Sequence, residues 1–322
     1  MNRTFKSLLS PKIGEFMEYK KSLGFAYDGA MSRLSRFDRF CKDNFPDEAT
    51  LTKEICLAWA SKQESEKNNS FLVRISAVRE FGKYLVGVGE DAYIIPNRLC
   101  KKSARLTPHI YSEDEIALLW TELDSLKPCA TFRCWHIVAP AFIRLLYCCG
   151  LRPVEAQRLS VDDVDLTVGR LFIRESKGHK DRIVMLADDV RDYLRDYDQK
   201  VKSVLPGREW FFPNSTSKPF TADAACRVFL RIRKKLGFDE KCHAPVRLYD
   251  FRHTFATHRL YYWLREGKEL TAMLPYLSAY MGHEQLSDTF YYIHLVPGQF
   301  ETISGLDFSQ YELLLPEVTY HD

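Results

Sequence analysis

The chain has 322 residues, 46% hydrophobic and 28% charged, with a net charge of +3. That is the composition of an ordinary soluble protein, with length for two domains. The opening MNRTFKSLLSPKIGEF turns polar at once, and the longest apolar run, residues 138–149, is broken by Arg144 and too short for a bilayer. These features argue against a secretory leader and a membrane span, and lead to the expectation of a cytoplasmic protein.

Nine cysteines, from Cys41 to Cys242, show no Cys-x-x-Cys spacing, so neither a disulfide framework nor a zinc site is expected. His253 and His258 lie about 140° apart around a helix and do not share a metal-facing side. The charge divides unevenly. Residues 1–110 hold 19 Lys and Arg against 13 Asp and Glu, a net of +6, and the remainder has a net of −3. That balance fits a polyanion-gripping module joined to a body whose cations are few and placed.

Four helices are expected in the first hundred residues. Ser10-Pro11 is a helix start and Gly24 its stop, with Ile13, Phe16 and Met17 on the apolar side. Met31, Leu34, Phe37 and Phe40 mark a second helix, and Ile55 and Trp59 a third. In the fourth, Phe71, Ile75, Val78, Gly82 and Leu85 share one face, while Arg79 and Lys83 fall off it. These two cations read as a solvated face or as a phosphate-contacting one. Residues 96–110, with prolines and Lys101-Lys102 and no period, are expected to be a basic linker able to track a DNA backbone. The expected division is 1–95, 96–110 and 111–322.

The second module opens on a capping box, Ser112 with Glu115, ahead of Ile116, Leu119, Trp120 and Leu123. A long apolar helix is expected from about Thr131 to Cys149, ending at Gly150, and a short one over 153–159. LFIRES, KGHKD and RIVML (171–186) read as a β-hairpin with Gly178 in its turn. Helices are expected near 188–203, 222–236, 247–264 and 270–281. The expected class is therefore mainly α with a small β-sheet (α+β).

Within this frame a few residues carry chemistry. GLRPVEAQRL (150–159) sets Arg152 at the mouth of a helix, a good phosphate seat, with Glu155 one turn on to hold it or simply to serve as a first-turn glutamate. VRLYDFRHTFATH (246–258) brings Arg252, which by itself also fits a helix-surface ion pair. If the two arginines converge, they form a clamp for one phosphodiester. Lys177, in the hairpin turn, is either solvated or able to reach a DNA groove and protonate a leaving 5′ oxygen. MGHEQLSDTFYYIH (281–294) sets His283 nine residues ahead of Tyr292. It reads as a helical turn with two core tyrosines, or as a nucleophile beside a phosphate contact.

Taken in order, GLRPVEA, SKGHKDRIVML, LYDFRHTFATH, YMGH and Tyr292 resemble the tyrosine recombinase (phage integrase) family. The resemblance covers about residues 111–300, and the basic helical module in front resembles the family's core-binding domain. It implies a site-specific DNA recombinase, an integrase or transposase of a mobile element, that cuts and rejoins DNA through a covalent 3′-phosphotyrosine. Arg152 and Arg252 would bind the phosphate and Glu155 would support the first. Lys177 would be the general acid, His283 the late histidine and Tyr292 the nucleophile, with Tyr291 its competitor. Tyr249 stands where the family commonly has a histidine. A phenol can donate a hydrogen bond to phosphate but is a poor base at neutral pH. His253 is expected to be structural. The resemblance further implies double-stranded DNA as partner, assembly into a tetramer with the segment after Pro297 docking on a neighbour, no metal and no cofactor. Arg79, Lys83, Lys101 and Lys102 would contact DNA. A helical module beginning near residue 1 leads to the expectation of simple sites without distant arm repeats. The sequence specifies no accessory directionality factor. Two other readings remain, a relaxing enzyme of the type IB topoisomerase kind and a DNA-binding regulator of the same fold with impaired catalysis.

Overall fold

A computed structural model describes residues 5–25, 28–97, 99–100, 107–129, 132, 134–174, 180–241 and 246–295. The chain divides into two compact units, Met1–Arg105 and Leu106–Asp322.

Among the described residues the first unit holds four helices, α1 (Ser10–Ser22), α2 (Asp28–Asn44), α3 (Lys53–Trp59) and α4 (Asn68–Gly87). Their apolar faces meet in a core that includes Ile13, Phe16, Leu34, Phe37, Ile55, Ile75 and Phe81. Ser10 is the first helical residue and Leu9 the cap, one position earlier than the sequence suggests. The reason lies upstream: the buried Asp38 carboxylate accepts from Lys6 N at 2.7 Å and from Ser7 N and Oγ at 3.0 and 2.6 Å, fixing the approach to α1. Thr52 caps α3 by accepting from Ile55 N.

The chain beyond α4 returns across it, where Tyr93 N donates to Leu51 O at 2.8 Å. Gly82 permits this close passage, since a Cβ there would lie 3.0 Å from the Tyr93 carbonyl. Arg79 fastens the next residues by donating through Nε and Nη2 to the Ile95 and Pro96 carbonyls, both at 2.7 Å. Lys83 remains half exposed beside Glu80 at 2.8 Å. Lys101 and Lys102 lie outside the described residues.

The second unit contains α5 (Glu113–Asp124), α6 (Trp135–Cys149), α7 (Pro153–Gln157), α8 (Asp188–Val204), α9 (Ala222–Lys235), α10 (Phe238–Lys241), α11 (Asp250–Arg265), α12 (Leu270–Met281) and α13 (Ser287–Phe290). Its sheet is antiparallel in the order β1 (Val164–Asp165), β2 (Arg170–Ile173), β3 (Arg182–Met185). The predicted capping box at Ser112 and Glu115 is present. α6 starts at Trp135, later than expected, and ends on Gly150 in the left-handed conformation, φ 59°. α6 buries Val138, Phe142, Leu145 and Leu146 in the core of this unit. α11 begins at Asp250 because the Asp250 carboxylate accepts from Arg247 N at 2.8 Å, so residues 247–249 form the turn into the helix. In the hairpin Ile173 faces Arg182, and the connecting turn with Lys177 lies outside the described residues. Among the described residues no helix is long and apolar enough to cross a membrane.

Candidate active site

The site is organised by the carboxyl end of α12. A helix leaves its last carbonyls without partners inside the helix. Here the chain turns at Gly282, φ 66°, so that His283 N donates to Ser278 O and Gly282 N to Ala279 O. The next three carbonyls each accept from a different arginine. Arg182 Nε donates to Tyr280 O at 2.9 Å, Arg252 Nη2 to Met281 O at 2.8 Å, and Arg152 Nη2 to Gly282 O at 3.2 Å. Three cations therefore gather where the helix dipole is negative.

Each arginine reaches this point from its own element. Arg152 is the N-cap residue of α7, with extended backbone, and the proline at the first helical position fixes the start of that helix. Its backbone N and Nη1 donate to the two oxygens of Glu155 at 2.9 and 2.7 Å. Burial works against the Arg152 charge, but the hydrogen bond and charge of Glu155, with Tyr249 acting the same way, raise its pKa on balance. Arg252 lies in the first turn of α11 and is 1% exposed. Its Nη1 donates to Gly150 O at 2.6 Å. Gly150 must remain small there, because a Cβ would come within 2.4 Å of the Phe255 ring. Burial lowers the Arg252 pKa, an effect the neighbouring Tyr292, Tyr249 and Glu155 oppose.

Tyr292 follows α13 in a turn held by Tyr292 N donating to Thr289 O at 3.1 Å. Only 3% of it is exposed. Burial pushes its hydroxyl up to about 12, while Arg252, by charge and hydrogen bond, and Arg152, by charge, pull the other way. The His283 ring stacks on the Tyr292 ring at 5.9 Å and 15°, and Thr289 Oγ1 lies 2.7 Å from His283 Nδ1. Tyr291 is only partly buried; its ring stands at 66° to that of Tyr292. Tyr249 is 40% exposed at the N-cap of α11. The His253 ring faces those of Tyr249, Tyr292 and Tyr291 at 5.3, 5.6 and 6.1 Å.

The structure thus brings together Arg152, Glu155, Tyr249, Arg252, His283 and Tyr292 from three stretches of sequence. Sequence reading missed Arg182, which donates bidentately to Glu155 at 2.9 and 2.8 Å, and Thr289, which is fully buried. Neither had a signal, since Arg182 reads as an ordinary strand arginine and Thr289 as a helix residue. A cavity of about 170 Å³ opens beside Arg182, lined by Lys180, Asp181, Gly282, His283 and Glu284. Among the described residues no cluster of His, Cys, Asp or Glu could hold a metal ion.

The mainly helical fold with this small antiparallel sheet is shared with solved integrase structures. The chain belongs to the Phage integrase family, which matches residues 112–298. A putative integrase/recombinase y4rE of Sinorhizobium fredii (strain NBRC 101917 / NGR234) is 29% identical over 295 residues, covering 90% of this chain and 92% of that protein. The Tn1549 transposon integrase bound to transposon right end DNA shares the fold with a TM-score of 0.60 at 13% identity, over 92% of this chain and 99% of that one. A lambda integrase tetramer bound to a Holliday junction does so with a TM-score of 0.60 at 16% identity, over 89% and 78%. The protein is a site-specific DNA recombinase.

Proposed function

We propose that Tyr292 is the nucleophile of this recombinase, acting on a phosphodiester held between Arg152 and Arg252. The observation that carries the reading is the Tyr292 hydroxyl, buried within the influence of the Arg252 and Arg152 charges, with the His283 ring stacked on its own. The phenolic oxygen attacks phosphorus and forms a 3′-phosphotyrosine, and the bond to the 5′ oxygen breaks. Two guanidinium groups stabilise the charge that builds on the equatorial oxygens. Tyr249 donates a further hydrogen bond to the phosphate. Tyr292 is protonated at neutral pH, so its proton leaves during attack, to His283 or to the phosphate itself. Lys177 protonates the departing 5′ oxygen. A 5′ hydroxyl from another strand then reverses the step. None of these steps calls for a metal or a cofactor.

Residues 1–95 grip the duplex and residues 96–110 follow its backbone, through Lys83, Lys101 and Lys102. Arg79 contributes by holding residues 95 and 96 at the start of that path. The protein acts in the cytoplasm on the DNA of a mobile element. It assembles as a tetramer on two duplexes, with the segment after Pro297 docking on a neighbour. Nicked suicide duplexes cut from the element's ends test the reading. A covalent adduct that persists in denaturant is expected, and a protein that binds but never forms one is a regulator instead.

A further inference from the structure

Arg182 opens β3 and lies among the groups just described, yet no step above uses it. All three of its guanidinium nitrogens are engaged inside the protein. Nη1 and Nη2 donate to the two oxygens of Glu155, and Nε donates to the Tyr280 carbonyl. Both side chains are nearly buried, Arg182 at 9% and Glu155 at 6% exposed. A guanidinium so committed is a holder of other groups rather than a phosphate ligand.

We propose that Arg182 is a positioning residue for strand cleavage, which acts by sharing the Glu155 carboxylate with Arg152. The inference rests on the assignment of Arg152 to the scissile phosphate.

Two physical effects support it. The first is geometric. A carboxylate offers about four acceptor positions, and here Arg152 N and Nη1 take one on each oxygen while Arg182 takes the others. Donors from both sides fix the carboxylate plane, and the carboxylate in turn fixes the Arg152 guanidinium. The second is electrostatic. One carboxylate between two guanidiniums leaves the trio with a net positive charge, so Arg152 keeps attraction for an incoming phosphate. Without Arg182, Glu155 pairs with Arg152 alone and neutralises it. The same side chain ties β3 to the end of α12, next to Gly282 and His283. Gly282 is part of the arrangement, because a Cβ there would lie 2.9 Å from Arg182 Nη1.

The test is single-turnover cleavage of suicide duplexes carrying either the natural phosphodiester or a methylphosphonate at the scissile position, with DNA affinity and unfolding midpoint measured alongside. A methylphosphonate lacks the negative charge that Arg152 meets. Arg182→Gln should slow cleavage of the phosphodiester by roughly 10- to 100-fold, the scale of a misplaced catalytic group, with DNA affinity within about threefold of wild type. On the methylphosphonate the loss should shrink to a few fold, and Arg182→Lys should fall between. The Glu155→Gln/Arg182→Gln double variant should be no slower than the slower single one, since the two act as a unit. If Arg182→Gln fails to fold, Arg182→Lys is read by the same comparison. Equal loss on both linkages, or cleavage at the wild-type rate, overturns the proposal. A wild-type protein that forms no adduct, or an Arg152→Ala variant that cleaves normally, instead overturns the reading of the site on which it rests.

Discussion

Arg152 and Arg252 are moored to adjacent carbonyl groups, Gly282 at 3.2 Å and Met281 at 2.8 Å, at the end of α12. The spacing of the clamp is therefore set by one turn of backbone and not by either arginine's own helix. His283 follows directly on that turn, which joins the two arginines to the ring stacked on Tyr292.

The two arginines differ in what else depends on them. Arg252 is buried and also supports the Gly150 carbonyl, whereas Arg152 is partly exposed and leaves Glu155 with Arg182 when removed. Both alanine substitutions should lower cleavage by roughly 10²–10³-fold. Arg252→Ala should in addition cost about 3 kcal/mol or more of stability, through lost charged hydrogen bonds, and Arg152→Ala markedly less. Urea unfolding midpoints beside single-turnover rates separate the two effects.

Tyr249 offers a hydroxyl from the N-cap of α11, on the side of Arg152. Tyr249→Phe should be intermediate in rate, losing a hydrogen bond to a charged group that contributes about 1.5–3 kcal/mol. Tyr249→His should keep or improve activity, because an imidazole restores a donor of similar reach. Cleavage rates at saturating DNA check both, and an inactive Tyr249→His would remove the phosphate-donor role.

Thr289 Oγ1 at 2.7 Å from His283 Nδ1 orients the ring against Tyr292. Thr289→Val preserves shape and removes that hydrogen bond. It should lower the cleavage rate several-fold, roughly 1 kcal/mol, while DNA affinity stays unchanged, as a mobility-shift titration would show.

His253 gives the fold an acid-sensitive element. Burial, aided by the Arg247 and Arg252 charges and opposed by Asp250, lowers its pKa from 6.5 to about 4. A depressed value means the stability it contributes is complete above pH 6.5 and is lost as pH falls toward 4. Between those limits wild type should lose about 3 kcal/mol, in order of magnitude, that a His253→Phe variant does not lose. Unfolding midpoints of both proteins at pH 7 and pH 4.5 give the comparison.

The helical frame was legible because it is written locally. Gly150 and Gly282 stop helices where a left-handed residue is needed, and Ser112 with Glu115 starts one within a single turn. β1 escaped because two residues carry no period, and the start of α1 shifted because Asp38 on another helix holds Lys6 and Ser7 ahead of it. In the site, Arg152, Arg252, His283 and Tyr292 stand in short motifs whose order can be read. Arg182 could not be found that way, since its partners Glu155 and Tyr280 are distant in sequence and only folding brings them together. The three-carbonyl mooring is backbone chemistry, to which side-chain identity gives no clue.

The central claim is that Tyr292, and neither of its aromatic neighbours, becomes joined to DNA. Tyr291 and Tyr292 are adjacent, but their rings stand at 66°, and it is Tyr292 that is buried and feels the Arg252 and Arg152 charges. Tyr292→Phe should bind DNA without forming an adduct, and Tyr291→Phe should still form one. The most direct measurement is peptide mapping of the protein–DNA adduct trapped on a suicide duplex. The nucleotide is expected on Tyr292, and its recovery on Tyr291 or Tyr249 would contradict the account.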